Sequence, residues 1–138
     1  MIRATHLAPA LLAAVAATAV PAAAQERVPA PAYFVASTFA VSTAQAVARA
    51  CPALSVDPVA AAGATGDVLA RLEADGFTPD NLETRMADPT DAIAARQRAF
   101  LDRHDLADGA PAGRVCAAGR AEIAEGSDVG ALLVEVEG

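Results

Sequence analysis

The segment RVCAAGRAEIAEGS, residues 114–127, has the spacing of a single amphipathic helix. Cys116, Gly119 and Ile123 follow one another at steps of three and four residues, which places them on one stripe of a helix. Gly126 is a typical residue at which to end a helix, because glycine adopts the left-handed conformation at little steric cost. We therefore predict a helix with a cysteine on its buried side, around which the rest of the chain is organised.

The other cysteine of the chain is Cys51, which precedes Pro52 at the predicted exit of an earlier helix. In an exported protein, two cysteines are most simply one disulfide. A bond from Cys51 to Cys116 closes a loop of about 65 residues, for which the chain-entropy model gives roughly 4 kcal/mol of stabilisation. The alternative is a pair of buried, unlinked thiols.

Export is predicted from residues 1–24, which have the layout of a signal peptide. Arg3 supplies a positive start, residues 7–20 form an apolar run, and small residues precede a cleavage point after Ala24. The alternative is an uncleaved anchor, although the run is shorter than the roughly 20 residues that span a membrane. We expect a periplasmic or secreted protein that does not insert into a membrane after cleavage.

Composition predicts one small domain with a thin core. Hydrophobic residues make up 54% of the 138 residues, but aromatic residues only 4%. Alanine dominates the apolar class, and it buries much less area than the large side chains that contribute about 1.5–3 kcal/mol each. Such a domain benefits from a covalent cross-link.

The charge of the chain is acidic, with 17 carboxylates against 10 basic residues, all of them arginine. Loss of Arg3 with the signal peptide takes the net charge from −7 to −8. An acidic surface repels phosphate backbones, so nucleic acid is not an expected partner.

The predicted fold is all-α, a single-domain bundle of about five short helices stapled by one disulfide. Residues 25–32 are expected to be a disordered lead, 33–133 the helical domain and 134–138 a tail. Alternation in Val-Glu-Val at 134–136 resembles a strand, but no partner strand is evident in the sequence. The helices are expected at about 32–50, 58–75, 79–87, 89–104 and from 111 to Gly126.

Three of these helices are predicted to start at a capping residue followed by proline: Asp57-Pro58, Thr78-Pro79 and Asp88-Pro89. The side-chain oxygen accepts from an otherwise unpaired backbone N–H, and proline has no N–H to leave unpaired. In the second helix, Val59, Ala62, Leu69 and Leu72 are expected to be buried. Gly63 and Gly66 are expected to allow close packing against another helix.

No catalytic site, metal site or cofactor site is predicted. His104 is the one histidine left after loss of the signal peptide, and its expected role is a cation at a helix C-terminus. Asp102 and Asp105 lie near it, so an enzyme that uses His104 with one of them is the third-ranked alternative. The aspartates around Gly109 do not match a calcium-binding loop, and the chain lacks the cysteines and histidines of a zinc site.

Arg120 and Glu122 form the candidate binding surface of the predicted last helix. Residues two apart on a helix point to different faces, so they cannot pair with each other. Each either forms a salt bridge with a neighbouring helix or contacts a ligand or partner.

The pattern CxxGRAEIxxGSxxGxLL, residues 116–133, resembles the C-terminal signature of a family of short exported alphaproteobacterial proteins known only as a domain of unknown function. Cys51-Pro52, Gly76-Phe77-Thr78 and Asp88-Pro89 fit the same family in order, so that the resemblance covers about residues 34–133. Val115 departs from it, since an aromatic residue is expected before the second cysteine. The resemblance implies an exported helical domain with no known activity.

The functional hypothesis is a non-catalytic exported module that binds an envelope or periplasmic protein. It follows mainly from elimination, because the sequence offers no nucleophile–base pair, metal cluster or phosphate loop. The alternative is an acid-stress periplasmic chaperone, whose 17 carboxylates would lose their charge at low pH and loosen the domain.

Overall fold

The computed structural model describes residues 26–137, and the predicted signal peptide lies outside these residues. The described chain forms five α-helices, a 3-10 turn and two short strands. In chain order they are α1 (Ala32–Ala50), β1 (Leu54–Val56), α2 (Pro58–Ala74), α3 (Leu82–Arg85), α4 (Thr90–Arg103), α5 (Ala112–Glu125), the 3-10 turn (Gly130–Leu132) and β2 (Leu133–Glu135).

The two strands correct the all-α prediction to a mostly helical fold with a small sheet. β1 and β2 pair antiparallel, with Leu54 opposite Glu135 and Val56 opposite Leu133. Residues 134 and 135, expected in a tail, therefore belong to a strand. The sequence did not reveal the partner because β1 has three residues, too few to show alternation.

The predicted disulfide between Cys51 and Cys116 is confirmed. It joins the C-terminal end of α1 to the second turn of α5, with 5.1 Å between the two Cα atoms. Both cysteines are buried, and they lie in the larger of two apolar clusters.

The larger cluster surrounds α1, and alanine contributes much of it, as expected from composition. Its most buried members include Ala44 of α1, Phe100 of α4 and Val129 after α5. A smaller cluster of Leu72, Phe77 and Met86 packs against Tyr33 and Phe34 in the first turn of α1.

Residues 26–31 precede α1 and were expected to form a disordered lead. In the structure, Val28 in this segment pairs with the backbone around Met86, a member of the smaller cluster. Val28 bridges to Met86: its N–H donates to the Arg85 carbonyl at 2.8 Å, and its carbonyl accepts from Ala87 N–H at 2.8 Å. Backbone pairing of this kind leaves little sequence signal, since any residue except proline can supply both groups.

Two of the three predicted helix starts are supported by capping contacts. Asp57 Oδ1 accepts from the backbone N–H groups of Val59 and Ala60, at 2.8 and 3.1 Å. Asp88 Oδ1 accepts from Thr90 N–H at 2.9 Å, and α4 starts at Thr90, one residue after the predicted start.

The start predicted at Thr78-Pro79 is wrong. Asn81 Oδ1 accepts from the Thr78 backbone N–H at 2.8 Å, which stabilises a turn over these residues. The helix α3 follows only from Leu82 and has four residues, shorter than the predicted 79–87.

The buried side of α2 is also different from the predicted one. Val59 and Leu69 are 80% and 61% exposed, and Ala62 is exposed as well, whereas Leu72 is buried as predicted. The residues that pack inward are mostly small: Ala60, Ala61, Ala64, Val68 and Leu72. Apolar residues recur at helical spacing on both faces of α2. The spacing of apolar residues alone therefore could not show which face is buried.

Close packing between neighbouring elements occurs at glycines other than Gly63 and Gly66, where it was predicted. A Cβ on Gly63 or Gly66 would meet nothing within 4 Å. A Cβ on Gly119 of α5 would lie 2.8 Å from Val47 Cγ1, and one on Gly130 would lie 2.6 Å from Ile123 N. These two glycines let α1 and the 3-10 turn pack directly on the backbone of α5.

Candidate functional site

Glu122 is the most deeply buried polar residue of the described chain, with no exposed surface. Its Oε1 lies 2.5 Å from His104 Nε2 and 3.0 Å from Arg103 Nη2, and its Oε2 accepts a hydrogen bond from Ser127 Oγ. Of the two roles predicted for Glu122, the structure shows the salt bridge with a neighbouring helix, formed with Arg103 of α4. The carboxylate is turned inward because the end of α4 supplies two basic side chains to pair with it.

The turn after α5 completes this cluster of Glu122, His104, Arg103 and Ser127, here named the Glu122 cluster. Gly126 adopts the predicted left-handed conformation, with φ of 63°, and reverses the chain. Ser127 N–H then donates to the Glu122 carbonyl at 3.2 Å, while Ser127 Oγ accepts from Gly130 N–H at 3.0 Å.

The electrostatics of the Glu122 cluster keep the carboxylate ionised. Burial raises the pKa of Glu122, but the hydrogen bonds from Ser127 and His104 and the positive charge of Arg103 outweigh it. The resulting pKa lies below the ordinary value of 4.5. A buried carboxylate with this set of partners is fixed in position at neutral pH.

The geometry of the Glu122 cluster does not activate a nucleophile. In a serine hydrolase the imidazole lies between the hydroxyl and the carboxylate, whereas here the carboxylate lies between Ser127 and His104. Asp105, a candidate partner of His104, instead pairs with Arg114 at 2.6 Å. The cluster joins α4, α5 and the 3-10 turn, and sequence reasoning missed it because its members are up to 24 residues apart.

Arg120 is placed on the surface, away from Glu122. Its Nε lies 2.6 Å from Glu135 Oε1, and both side chains are more than half exposed. An exposed pair of this kind contributes about 0–1 kcal/mol. The structure thus separates the two residues of the candidate binding surface into a surface salt bridge with β2 and a buried cluster.

Two further properties of the described chain bear on function. Among residues 26–137, no three histidine, cysteine or acidic side chains are grouped so that they could hold a metal ion. None of the helices in that range combines the length and the apolar character that crossing a membrane requires.

Two apolar clefts border α1. The first, of about 390 Å³, lies between the second half of α1, α4 and residues 106–110. Its walls are mostly apolar, with Ala46, Phe100, Leu101, Leu106 and Val115 among them.

The second cleft, of about 350 Å³, lies between the first half of α1 and α2. Phe34, Val41, Leu69 and Leu72 contribute its apolar wall. Ser42 contributes to the lining of both clefts, and the two clefts together are here named the α1 groove. Sequence reasoning missed it because Leu69 was expected to be buried.

A third cleft, of about 660 Å³, lies between α1, α2 and the 3-10 turn. Alanines and Gly63 form much of its wall, together with the polar side chains of Ser37, Asp67 and Asp128. Arg71 lies 3.9 Å from the ring centre of Tyr33, whose hydroxyl donates to Asp75 at 2.8 Å. The α1 groove is the better candidate site, because its large side chains offer apolar contacts that alanine does not.

Comparison with known proteins supports the family but no activity. Residues 26–134 match the family described as "Family of unknown function (DUF5333)". No curated protein and no solved structure matches the chain. The matched range includes α1 to α5, both cysteines, the Glu122 cluster and the α1 groove. This chain therefore belongs to the DUF5333 family, a family of unknown function.

Proposed function

We propose that this chain is an exported, non-catalytic binding module that holds a segment of an envelope or periplasmic protein in the α1 groove. The observation that carries the proposal is the pair of apolar clefts that flank α1, one toward α4 and one toward α2. Apolar depressions of a few hundred Å³ with few polar groups are typical of binding sites.

Exposed leucines at the groove support an interaction role. Leu69 is 61% exposed on the α2 side, and Leu101 is 41% exposed on the α4 side. Large apolar side chains that border a cleft lose contact with water when a partner covers them, which favours association.

The support beneath the groove favours a preformed site. The opposite side of α1 carries Ala40 and Ala44, both buried in the larger cluster. The disulfide at Cys51 fixes the end of α1 covalently. A groove on a rigid helix costs less conformational entropy on binding than a groove between mobile loops.

The exported location rests on residues 1–24 and on the disulfide. Disulfides form and persist mainly in oxidising compartments, such as the periplasm or the extracellular space. Recovery of a chain that begins at Gln25 from the periplasmic or secreted fraction would support this part of the proposal, and a full-length chain in the membrane pellet would contradict it.

The test of the groove is a capture experiment with two matched variants. Ala46→Arg places a long charged side chain into the first cleft, while Ala62→Arg makes the same change on an exposed part of α2 that lines no described cleft. The wild type and Ala62→Arg should retain the same partner from an envelope extract, and Ala46→Arg should lose it.

The captured protein is then purified and its affinity measured by calorimetry at neutral pH. A partner held equally by wild type and both variants would contradict the groove as the site. The absence of any partner that the wild type retains and Ala46→Arg loses would contradict the binding module.

The Glu122 cluster favours a second candidate function, the acid-stress chaperone. Protonation of Glu122 would remove the negative charge of the cluster, which pairs with Arg103 and lies against His104. This would loosen the contact of α5 with α4 and expose apolar surface. Dye binding and suppression of client aggregation should then appear near about pH 3 and be absent at neutral pH.

A variant of the cluster separates the two functions. In Glu122→Gln the buried charge is already removed, so chaperone activity should extend to higher pH than in the wild type. Client protection that is equal at low and neutral pH, or that is unchanged in Glu122→Gln, would contradict the chaperone.

A further inference from the structure

We propose that the first cleft, the one between α1 and α4, takes the side chain of a tyrosine from the bound segment, whose phenol hydroxyl bonds to Thr43. This inference rests on the proposed function and specifies which side chain of the partner enters the cleft. It is carried by an unpaired hydroxyl on an otherwise apolar surface.

The first cleft has a buried floor and an exposed rim. Its floor consists of the four buried side chains that line it: Thr43, Val47, Phe100 and Leu106. Its rim consists of exposed residues, among them Ala46 and Leu101. Thr43 is therefore the one polar side chain of the floor.

The hydroxyl of Thr43 has no hydrogen-bond partner within residues 26–137, although the residue is only 6% exposed. By contrast, Thr65 and Thr84 donate their hydroxyls to backbone carbonyls about one turn earlier, at 2.9 and 3.1 Å. No side-chain oxygen that is fully enclosed in the described chain lacks a partner, so the Thr43 oxygen still reaches open space. Of the three clefts around α1, Thr43 lines the first alone, and its hydroxyl therefore faces that cleft.

A hydroxyl on an apolar floor selects a side chain with an apolar body and a polar tip. Tyrosine has this form, because its phenol oxygen is the atom farthest from the backbone and can both donate and accept. A phenylalanine or leucine would exclude water from Thr43 and leave its hydroxyl unpaired, which costs free energy. Phe100 on the floor adds an aromatic surface for the ring.

The charges around the first cleft do not favour an ionised side chain. Asp108 lies on the exposed rim, and Arg49 in the last turn of α1 is exposed and lines neither cleft. No floor residue is charged, so an ammonium or carboxylate group that entered would lose its hydration without gaining a counter-charge. A neutral phenol avoids this cost.

The test uses two probes that represent side chains as free molecules, 4-methylphenol for tyrosine and toluene for phenylalanine. Their binding to the full chain is measured by NMR titration for the wild type and for Thr43→Val. Because a hydrocarbon gains more from leaving water, the ratio of the two affinities is compared between the proteins, which isolates the hydrogen bond.

The wild type should bind 4-methylphenol at least as tightly as toluene. In Thr43→Val the ratio should shift toward toluene by about five- to tenfold, as expected for the loss of one hydrogen bond. The matched variant Thr65→Val makes the same change at a hydroxyl that lines the second cleft, and it should leave the ratio unchanged. The variant Ala46→Arg should abolish binding of both probes.

The stability of Thr43→Val gives a readout that needs no ligand. Since the wild-type hydroxyl makes no hydrogen bond in the described chain, its removal breaks none, and Thr43→Val should melt at no lower temperature than the wild type. A lower melting temperature would show that the hydroxyl is paired and would overturn the inference.

The probes can overturn the inference in three further ways. These are failure of 4-methylphenol to bind the wild type, a preference of the wild type for toluene, and a ratio that shifts equally in Thr43→Val and Thr65→Val or in neither. None of these results alters the capture experiment with Ala46→Arg, whose failure would contradict the binding module itself.

Discussion

The helices α5 and α2 differ in what they turn toward the interior. α5 buries the carboxylate of Glu122 completely, whereas α2 leaves Leu69 61% exposed and packs a stripe of alanines inward. A charge is tolerated inside because Arg103, His104 and Ser127 surround it, and a leucine is left outside because nothing in the described chain covers it. The difference shows that the elements packed against a helix, as much as the spacing of its own apolar residues, decide which face is buried.

The largest expected effect comes from removing the buried charge of α5. Glu122→Ala leaves the largely buried His104 and the part-buried Ser127 without their common partner, and loss of one partner from a buried pair costs about 3–5 kcal/mol. Urea unfolding of wild type and variant at neutral pH measures the difference. A loss of unfolding free energy below about 1 kcal/mol would be typical of a surface residue. It would contradict the stabilising role of the buried Glu122 on which the contrast between α5 and α2 rests.

The pH dependence of unfolding tests the same carboxylate. The pKa of Glu122 in the folded protein is lowered from 4.5, so the ionised group stabilises the fold at pH values above 4.5. This contribution is lost as the pH falls below 4.5 toward the folded-state pKa. Between neutral pH and pH 3, the wild type should therefore lose more stability than Glu122→Gln. Equal losses would contradict a lowered pKa of Glu122 in the folded protein.

A similar effect is expected from the disulfide that holds α5 to α1. Reduction of Cys51–Cys116 opens a loop of 65 residues, and the chain-entropy model gives a loss of about 4 kcal/mol. Calorimetric melting with and without reductant measures it. The double variant Cys51→Ser, Cys116→Ser serves as the control, since it should melt with the reduced wild type and show no response to reductant.

Two glycines provide a matched pair with smaller effects of opposite sign. An added Cβ at Gly130 would press on the Glu122–Ile123 backbone, so Gly130→Ala should destabilise by about 1–3 kcal/mol. An added Cβ at Gly63 of α2 meets open space, so Gly63→Ala should stabilise the helix by about 0.5–1 kcal/mol. The midpoints of chemical unfolding give both values, and two changes of the same sign would break the comparison.

The smallest effect is expected at the exposed leucine of α2. Leu69→Ser removes an apolar side chain that is mostly in water already, so the free energy of unfolding should change by no more than about 0.5 kcal/mol. The same variant should weaken partner binding in the α1 groove. A large loss of stability would show that Leu69 contributes to the core after all.

Features that depend on a few adjacent residues were predictable from the sequence. The Asp57 cap and the left-handed conformation of Gly126 depend on contacts within about one helical turn, and the structure has both. The start at Thr78 failed within the same range, because residues 78–81 form a turn closed by the Asn81 side chain and the helix begins only at Leu82. The disulfide needed only the compartment and the count of cysteines.

Features that depend on distant residues were not predictable in this way. Pairing of β1 with β2 joins Val56 to Leu133, and burial of Glu122 depends on His104, 18 residues away. The α1 groove depends on which side of α2 faces α1, which the period of α2 does not decide. A single sequence shows the polarity of each residue but not the neighbour that neutralises or covers it.

The arrangement of the two cysteines also has a consequence for how the chain folds during synthesis. Cys51 and the helix before it leave the ribosome first, while Cys116 and β2 follow 65 or more residues later. Until then the Cys51 thiol has no partner in its own chain, and the central helix lacks α5 and the strand that close its core. Because the chain contains two cysteines, it has a single intramolecular connectivity and no isomer to reshuffle. The hazard during maturation is therefore intermolecular, a mixed disulfide at Cys51 between chains or with a small thiol, and its risk grows with the time that the C-terminal residues take to arrive.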